Sequence, residues 1–420
     1  MDNTKIFSKS GGEFEMEVEV QGHLIDSMIL THIFDKIMDL KGEFEVLKFK
    51  IGKRKHDYSY AKLLIKGNSV VHLQNILDEV FRLGAVPVTI ESATLKEAPS
   101  NCVLPDDFYS TSNHQTLIYI NGEWIEVEDQ MMDKAILYET RTRRAICKAI
   151  RDIRKGDQIV TGEAGIRVIL PERPREGIDV FEFMSSNTST EKPVLSITKR
   201  IAQDIFQIKE KGGKVVVVAG PAVIHTDATN ALARMISKGY INVLLAGNAL
   251  AVHDIEKSLF GTSLGVDPIS GLKTLKGYRN HMAAINQIFK AGSIKDAVQK
   301  GIVKSGIFYE CVTHRIPYVL AGSIRDDGPL PDVVINMVEA QKLYKEALRG
   351  ADIVLMLCTT LHSIAVGNML PSKTKVVAVD INPSTLTKLL DRGTSHATGI
   401  VSDIGSFLPL LVEFLEKLEK

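Results

Sequence analysis

The chain has 420 residues, 45% hydrophobic and 24% charged, and this length and composition predict two or three globular domains. Its 51 Lys and Arg residues equal its 51 Asp and Glu residues, so it lacks the basic excess typical of general nucleic-acid binders. Four cysteines without a C-x-x-C pair indicate neither a zinc knuckle nor a disulfide framework, and no metal site is predicted.

The sequence predicts a cytoplasmic protein. Its first twenty residues, MDNTKIFSKSGGEFEMEVEV, lack the apolar core of a signal peptide. The longest apolar run, near Val215–Ile224, is shorter than the ~20 residues needed to span a bilayer. The scattered, unpaired cysteines fit a reducing compartment. Because most cytoplasmic globular proteins of this size are enzymes, an enzyme is expected.

Residues 1–96 alternate between strand and helix patterns. Period-two and helical spacings of apolar residues predict strand Phe14–Val20, helix Leu24–Leu40, strands Phe44–Ile51 and Tyr58–Ile65, helix Val70–Leu83 and strand Val86–Ala93. This order is typical of a ferredoxin-like or ACT-like module. Such a module binds small ligands, mediates dimers or is purely structural, and the sequence leaves these roles open.

Residues 97–193 predict a small β-rich domain on the substrate side. Asn121-Gly122 is a hairpin signal between two short strand patterns. The spacing next predicts a helix over Met132–Arg154 and strands over Gln158–Leu170 and Val180–Met184. A polar stretch at 185–191 predicts the domain boundary.

Residues 194–420 alternate apolar, β-branched strands with amphipathic helices. The predicted strands are Lys214–Ala219, Ile241–Ala246, Pro317–Ala321, Asp352–Leu357, Lys375–Val379 and Thr398–Val401. The predicted helices are Thr226–Lys238, Pro331–Leu348, Pro383–Arg392 and Ile404–Leu418. Continuously apolar strands are buried on both faces, so an α/β fold with a parallel, doubly wound sheet is expected. Its ligands bind at the carboxyl ends of the strands.

Polar residues follow each of these strands. Gly220 permits a phosphate to approach the backbone, although the dinucleotide motif G-x-G-x-x-G is absent. Asn248 follows the second strand, where its amide suits a carboxamide or a ribose hydroxyl. His253, among apolar neighbours at helical spacing, is interpreted as an ordinary helix histidine.

The loop Gly322–Asp332, GSIRDDGPLPD, is the densest cluster of charged and conformationally special residues. It orients Arg325 or Asp327 toward a polar ligand, or else it is a solvated loop that caps a helix beginning near Pro331.

The last three strand ends carry Cys358-Thr359-Thr360, Asp380 and Asp403. Thr hydroxyls at a helix start suit pyrophosphate or ribose, whereas Cys358 is interpreted as buried rather than nucleophilic. A strand-end Asp380 suits a ribose diol and disfavours a 2′-phosphate. Asn382 before Pro383 also fits a helix cap. Asp403 likewise fits either a ligand contact or a helix cap. Six polar strand ends at one edge favour a dinucleotide site.

Five long stretches resemble one family. They are NCVLPDDFYSTSNHQT (101–116), GIRVILPERPREGIDVFEFMSS (165–186), GYRNHMAAINQIFKAGSIKDAVQKGIVKSGIFYECV (277–312), PYVLAGSIRDDGPLPDV (317–333) and VLMLCTTLHSIAVGNMLP (354–371). Nearly the whole chain resembles archaeal-type, NAD-dependent ornithine cyclodeaminases, which carry the lysine-ketoglutarate reductase/saccharopine dehydrogenase bifunctional conserved region.

The resemblance implies a Rossmann-like C-terminal domain of the deoxyhypusine synthase kind, bound NAD, and conversion of L-ornithine to L-proline and ammonia in arginine and ornithine metabolism. The NAD contacts that it implies are Asn248, Ala249, Asp327, Thr359, Thr360, Leu361, His362, Asp380 and Asn382.

For the chemistry, Asp326 or Asp327 is the expected base for the substrate α-ammonium. The candidates for the substrate carboxylate are Asn113, Arg167, Arg173 and Arg325. Two other functions stay open, a lysine- or saccharopine-type NAD dehydrogenase and a non-catalytic sensor of NAD and an amino acid. A homo-oligomer is expected from the ACT-like module.

Overall fold

The computed structural model of the chain describes all residues except 1–7, 11–12, 23, 25–27, 53–56, 89–90, 170–193, 267–273, 275–276, 327, 392–396 and 420. The chain forms two compact units, one of residues 1–180 with 371–373 and the other of residues 181–370 with 374–420. Among the described helices, none has the length and apolar character needed to cross a membrane.

The first unit begins with a sheet and two helices. The elements are β1 (Ser8–Ser10), β2 (Glu13–Gly22), α1 (Ile29–Asp39), β3 (Glu43–Lys50), β4 (Ser59–Gly67), α2 (Val70–Arg82) and β5 (Val86–Pro87). Strand β4 pairs with β3 on one side and β2 on the other, and β5 pairs with the far side of β2, all antiparallel. The resulting order, β3-β4-β2-β5, confirms the ferredoxin-like prediction.

Apolar spacing explains how this sheet and its helices pack. Strand β4 alternates buried and half-buried residues along its length. Its buried Leu63 and Ile65 belong to one core cluster with Ile33 of α1 and Ile76 of α2. The strand predicted over Val86–Ala93 ends at Pro87, because proline has no N–H to donate to the ladder.

The second sheet of this unit contains β6 (Thr94–Glu97), β7 (Gln115–Ile120), β8 (Glu123–Glu128), β9 (Ala135–Glu139), β10 (Arg144–Lys148), β11 (Gln158–Thr161) and β12 (Ile166–Ile169). The strand order is β12-β7-β8-β10-β9-β11-β6. Asn121 and Gly122 join β7 to β8 with φ of 53° and 89°, as a two-residue hairpin turn requires, so the predicted hairpin is confirmed.

The helix predicted over Met132–Arg154 is wrong. Strands β9 and β10 form an antiparallel hairpin there, followed by a 3-10 turn at Ile150–Asp152. Arg143 takes a φ of 53° in the turn between the strands, a left-handed conformation that a helix interior excludes. Strand β10 alternates exposed or half-buried with buried residues, which is the pattern of a strand with one buried face.

The second unit contains a seven-stranded sheet of β13 (Val215–Ala219), β14 (Val243–Gly247), β15 (Tyr318–Ala321), β16 (Val333–Val334), β17 (Ile353–Leu357), β18 (Lys375–Asp380) and β19 (Thr398–Val401). All recorded pairings in it are parallel. Its order is β16-β15-β14-β13-β17-β18-β19. Without the short β16, this is the 3-2-1-4-5-6 order of a Rossmann sheet, and the predicted fold class is confirmed.

The helices of this unit are α3 (Val194–Glu210), α4 (Ala222–His225), α5 (Thr229–Ser237), α6 (Asn248–Phe260), α7 (Asn280–Ala291), α8 (Ile294–Gln299), α9 (Ile307–Thr313), α10 (Met337–Leu348), α11 (Thr360–Gly367), α12 (Pro383–Leu390) and α13 (Ile404–Leu418). Every residue of β13 and β17 is buried, as their apolar runs predict.

The helix expected to begin near Pro331 begins instead at Met337. Val333 and Val334 first pair with β15 as a short strand. Asn336 then caps α10, because its Oδ1 accepts hydrogen bonds from the amides of Val338 and Glu339. The strand predicted over Val180–Met184 lies outside the described residues.

Glu163, on the turn between β11 and β12, makes the stability of the first unit depend on pH. Burial, reinforced by the carboxylate of Asp78, raises the pKa of Glu163 to about 7. The pKa of Glu163 is higher in the folded than in the unfolded chain. The contribution of Glu163 to the free energy of unfolding is therefore fully present below the unfolded-state pKa and is lost as the pH rises through about 7.

Glu163→Gln should therefore raise the free energy of unfolding by about 1–3 kcal/mol at about pH 8.5 and leave it nearly unchanged at about pH 5. Urea titrations at both pH values measure the effect. Glu123→Gln, at an exposed position on β8, is the control. An equal gain at both pH values would contradict the prediction.

Candidate functional site

The carboxyl end of the parallel sheet brings six loops to one edge. The strand order reverses between β13 and β17, so the connections leave in opposite directions on either side of that point. Such a reversal opens a crevice at the strand ends, where ligands of doubly wound sheets bind.

Gly220 lies against the loop after β17. Its amide donates to the carbonyl of Leu357 at 2.8 Å. A Cβ added at Gly220 would lie 2.1 Å from the carbonyl oxygen of Cys358 and 3.0 Å from the Cβ of Thr359. The close approach of the two central loops therefore requires a glycine at position 220. The sequence suggested a different reason, namely that glycine lets a phosphate approach the backbone.

Asn248 is buried at the start of α6, and its side chain holds the loop that follows β15. Its Oδ1 accepts a hydrogen bond of 3.1 Å from the amide of Leu330. Ala249 follows in the first turn of the helix and is half-buried. The amide group of Asn248 therefore positions the GSIRDDGPLPD loop against the strand edge.

His362 occupies the centre of the edge. Its Nδ1 lies 3.0 Å from the hydroxyl oxygen of Thr359. Its ring also covers the end of β14, because a Cβ added at Gly247 would lie 2.8 Å from its Cε1. Burial lowers the pKa of His362, and the carboxylate of Asp326 partly opposes this. The lowered pKa keeps the imidazole neutral near pH 7.

Tyr344, which sequence reasoning missed, supports this histidine. It is buried on α10, and its hydroxyl donates to the carbonyl of Ala246 at 2.7 Å. Its ring centroid lies 6.3 Å from that of His362. The sequence carries no signal for this role, because a tyrosine at helical spacing is typical of any core.

Asp326 is held by its own loop. Its Oδ2 accepts a 2.7 Å hydrogen bond from the amide of Ser323, and its amide donates to the carbonyl of Ser323 at 3.1 Å. Arg325 is exposed beside it, with its amide bonded to the hydroxyl of Ser323. The loop thus holds the Asp326 carboxylate in place and leaves the Arg325 guanidinium in solvent.

The N-terminus of α11 has no side-chain cap from its N-cap residue. Thr359 is the N-cap residue, but its side chain makes no cap hydrogen bond. Thr360 is half-buried and Leu361 is 67% exposed in the first turn. Free amides at a helix start attract phosphate oxygens, so this end of α11 is suited to an anion.

Two acidic residues lie beside Cys358 at the last strand ends. Burial raises the pKa of the Cys358 thiol to about 12, with further contributions from Asp380 and Asp403. Cys358 is half-buried rather than fully buried as the sequence predicts, and its raised pKa keeps the thiol protonated near neutral pH. Asp380 accepts a hydrogen bond from the amide of Asn382, and Asn382 caps α12 through the amide of Ser384.

Two of the remaining predicted residues lie in the first unit, and two lie outside the described residues. Asn113 is buried and Arg167 half-buried, and both lie in the first unit. Arg173 and Asp327 lie outside the described residues. The residues that the structure brings together are Gly220, Asn248, Asp326, Thr359 and His362, with Asp380 and Asp403 near Cys358.

Family models match the chain in three consecutive regions. The LOR/SDH bifunctional enzyme conserved region matches residues 15–114. The first region of the C-terminal part of ArgZ-like arginine dihydrolases matches residues 115–198, and the Rossmann fold of that part matches residues 199–411. The chain belongs to the ArgZ-like family. The resemblance found in the sequence is thereby confirmed.

Relatives in this ArgZ-like family span nearly the whole chain. An ornithine cyclodeaminase of Methanocaldococcus jannaschii is 56% identical over 97% of each chain, and one of Archaeoglobus fulgidus is 53% identical over 96% of this chain and 98% of its own. A bifunctional arginine dihydrolase/ornithine cyclodeaminase, AgrE of Nostoc, is 44% identical over 96% of this chain and 58% of its own.

Solved ArgZ-like structures share the fold. An apo ArgZ crystal structure, from a cyanobacterial arginine dihydrolase, has a TM-score of 0.85 at 39% identity over 98% of this chain and 60% of that one. A ternary complex of AgrE with ornithine and NAD⁺ has a TM-score of 0.53 at 42% identity, over 97% of this chain and 58% of that one.

The contact at Gly220 yields a test of the crevice. Gly220→Ala should lower the free energy of unfolding by about 1–3 kcal/mol, because its methyl group would collide with the Cys358 carbonyl. Gly322→Ala is the matched control, since a Cβ at that strand-end glycine would have its nearest contact at 3.4 Å. Equal stabilities of the two variants in thermal and urea unfolding would contradict the close contact between Gly220 and the Cys358 carbonyl.

Proposed function

We propose that this chain is an ornithine cyclodeaminase that converts L-ornithine to L-proline and ammonia with bound NAD. The observation that carries the proposal is His362 at the carboxyl edge of the parallel sheet, with its Nδ1 3.0 Å from the Thr359 hydroxyl oxygen at the uncapped start of α11. The curated relatives named ornithine cyclodeaminase, at 56% and 53% identity, support it. The AgrE complex with ornithine and NAD⁺ supports the choice of substrate and cofactor.

The strand edge has the donors and acceptors that a dinucleotide needs. The uncapped amides of α11 suit pyrophosphate oxygens, and the carboxylate of Asp380 suits a ribose diol. We assign NAD binding to Gly220, Asn248, Ala249, Asp327, Thr359, Thr360, Leu361, His362, Asp380, Asn382 and Asp403. A carboxylate at Asp380 repels a 2′-phosphate, so NAD is favoured over NADP.

When bound, NAD accepts a hydride from the substrate α-carbon and returns it after ring closure, so that the conversion is redox-neutral overall. Asp326 accepts the proton of the substrate α-ammonium, because the amide of Ser323 and its own loop hold its carboxylate at the edge. His362, kept neutral by burial, avoids placing a second positive charge beside that ammonium. Asp327 is the other candidate base.

We assign binding of the substrate carboxylate to Arg325, Arg167, Arg173 and Asn113. A guanidinium presents two parallel N–H donors that match a carboxylate. Arg325 is exposed and available at the loop that carries Asp326.

The proposed domains are residues 1–96, 97–193 and 194–420. We assign them a ferredoxin-like module, a substrate-side domain and an NAD-binding domain, respectively.

We further propose that the protein is cytoplasmic, acts in proline biosynthesis and forms a homo-oligomer. The first sheet supports assembly, because β3 is an edge strand that exposes Val46, Leu47 and Phe49. An exposed apolar edge strand is usually covered by another chain or protected in some other way.

The activity is tested by incubating the protein with L-ornithine and NAD⁺ while proline, ammonia and NADH are measured together. We expect equal amounts of proline and ammonia without net NADH. Net NADH, with L-ornithine or L-lysine, would assign a dehydrogenase instead. NAD binding without turnover of either amino acid would indicate a sensor.

Asp326→Asn should lower kcat by about 10²–10⁴-fold, because it removes a proton acceptor while preserving shape and the hydrogen bond from Ser323. NAD affinity, measured by calorimetry, should change little. Asp391→Asn, which removes an equal charge from the far end of α12, is the control. If kcat were unaffected in Asp326→Asn, the base would have to be sought elsewhere, with Asp327 next.

A further inference from the structure

Two histidines and a glutamate meet in the second unit. His253 and Glu256 lie three residues apart on α6 and therefore share a face of that helix. His281 lies in the first turn of α7. One ligand atom from each residue lies within 4.8 Å of the others. We call His253, Glu256 and His281 the histidine cluster.

The carboxylate of this cluster is held in place from its outer side. Glu256 is fully buried. Its Oε1 accepts hydrogen bonds of 2.8 Å from the Thr262 hydroxyl and the Gly265 amide, and its Oε2 accepts one of 3.0 Å from the Leu264 amide. Asn280 donates in turn to the Thr262 oxygen at 2.8 Å. Such outer hydrogen bonds orient carboxylates that ligate metals.

The inner side of the cluster has the spacing of ligands around an ion. Oε2 of Glu256 lies 3.5 Å from Nδ1 of His253 and 3.9 Å from Nδ1 of His281. Direct charge-assisted hydrogen bonds are shorter, at about 2.7–2.9 Å. Two ligand atoms bound tetrahedrally to one zinc ion at 2.0–2.1 Å are about 3.4 Å apart, close to the first distance.

His253 supplies a separate sign of a missing partner. Its side chain is only 7% exposed. Within the described part of the chain, its Nδ1 has no hydrogen-bond partner, although it is buried and faces Glu256. A buried polar atom without a partner is costly, so its orientation toward a carboxylate is more readily explained by a shared cation.

The surroundings of the cluster are those of a metal site rather than of an ordinary charge pair. The ring centroid of His225 lies 4.8 Å from that of His253, and Nδ1 of His225 lies 2.8 Å from the Ser263 hydroxyl oxygen. A metal ion would thus have the carboxylate and two imidazoles, with a third imidazole adjacent.

We propose that the histidine cluster binds one divalent transition-metal ion of the zinc class. Imidazole nitrogen with one carboxylate oxygen suits zinc and its neighbours, whereas magnesium and calcium prefer oxygen ligands. Three protein ligands leave one tetrahedral position open for water or another small ligand. The proposal does not depend on the assignment of NAD or ornithine.

The test uses the full-length chain, stripped with a chelator and titrated with Zn²⁺ in competition with a chromophoric chelator. We expect one Zn²⁺ per chain. Replacement by Co²⁺ should give the intense visible absorption of a four-coordinate ion. His281→Asn should weaken Zn²⁺ binding at least about a hundredfold, because even outer-shell changes cost 10- to 100-fold.

His314→Asn is the matched control, because His314 and Glu310 form a similar but half-exposed pair with 3.1 Å between Nδ1 and Oε2 and no third ligand in the described cluster. Its Zn²⁺ affinity should equal that of the unaltered chain. If His281→Asn fails to fold, the Co²⁺ spectrum of the unaltered chain decides. Binding below one equivalent, six-coordinate Co²⁺, or unchanged affinity in a folded His281→Asn would overturn the proposal.

Discussion

The close approach of the loops after β13 and β17 is the constraint on which the second unit depends. The carbonyl of Cys358 occupies the space where any other residue at position 220 would carry its Cβ. Cys358 itself takes a φ of 51°, which is uncommon for a residue with a side chain. The two central strands are therefore joined at their carboxyl ends by backbone contacts, and α11 starts at a fixed position beside them.

From this junction, the remaining side chains take their places by burial and hydrogen bonding. His362 reaches from the start of α11 to the end of β14, and Tyr344 and Asn248 fix the neighbouring chain segments through Ala246 and Leu330. Preorganised polar groups of this kind cost little to arrange when a ligand arrives. The edge is hydrogen-bonded in its buried centre and exposed at Arg325 and Leu361.

The fold was largely predictable from the sequence, because the parallel strands are continuous apolar runs between glycines and polar caps. The structure of residues 132–154 was not predictable, because their short apolar segments fit both the helical and the strand spacing. The left-handed backbone conformation of Arg143 is compatible with the hairpin and not with a helix. At the site, the sequence identified the strand-end loops. It did not pair Asp326 with His362 or His253 with His281, because these pairs depend on how separate elements pack and on where side chains point.

The half-buried thiol of Cys358 has a consequence for the chemical resistance of the strand edge. Alkylating agents and peroxides react with thiolates, and a thiol whose pKa is raised to about 12 supplies almost none near neutral pH. Its sulfur also lies 3.6 Å from the carbonyl of Val379, inside the sheet. The junction between the central strands is therefore expected to react more slowly with oxidants than an exposed thiolate at the same position would.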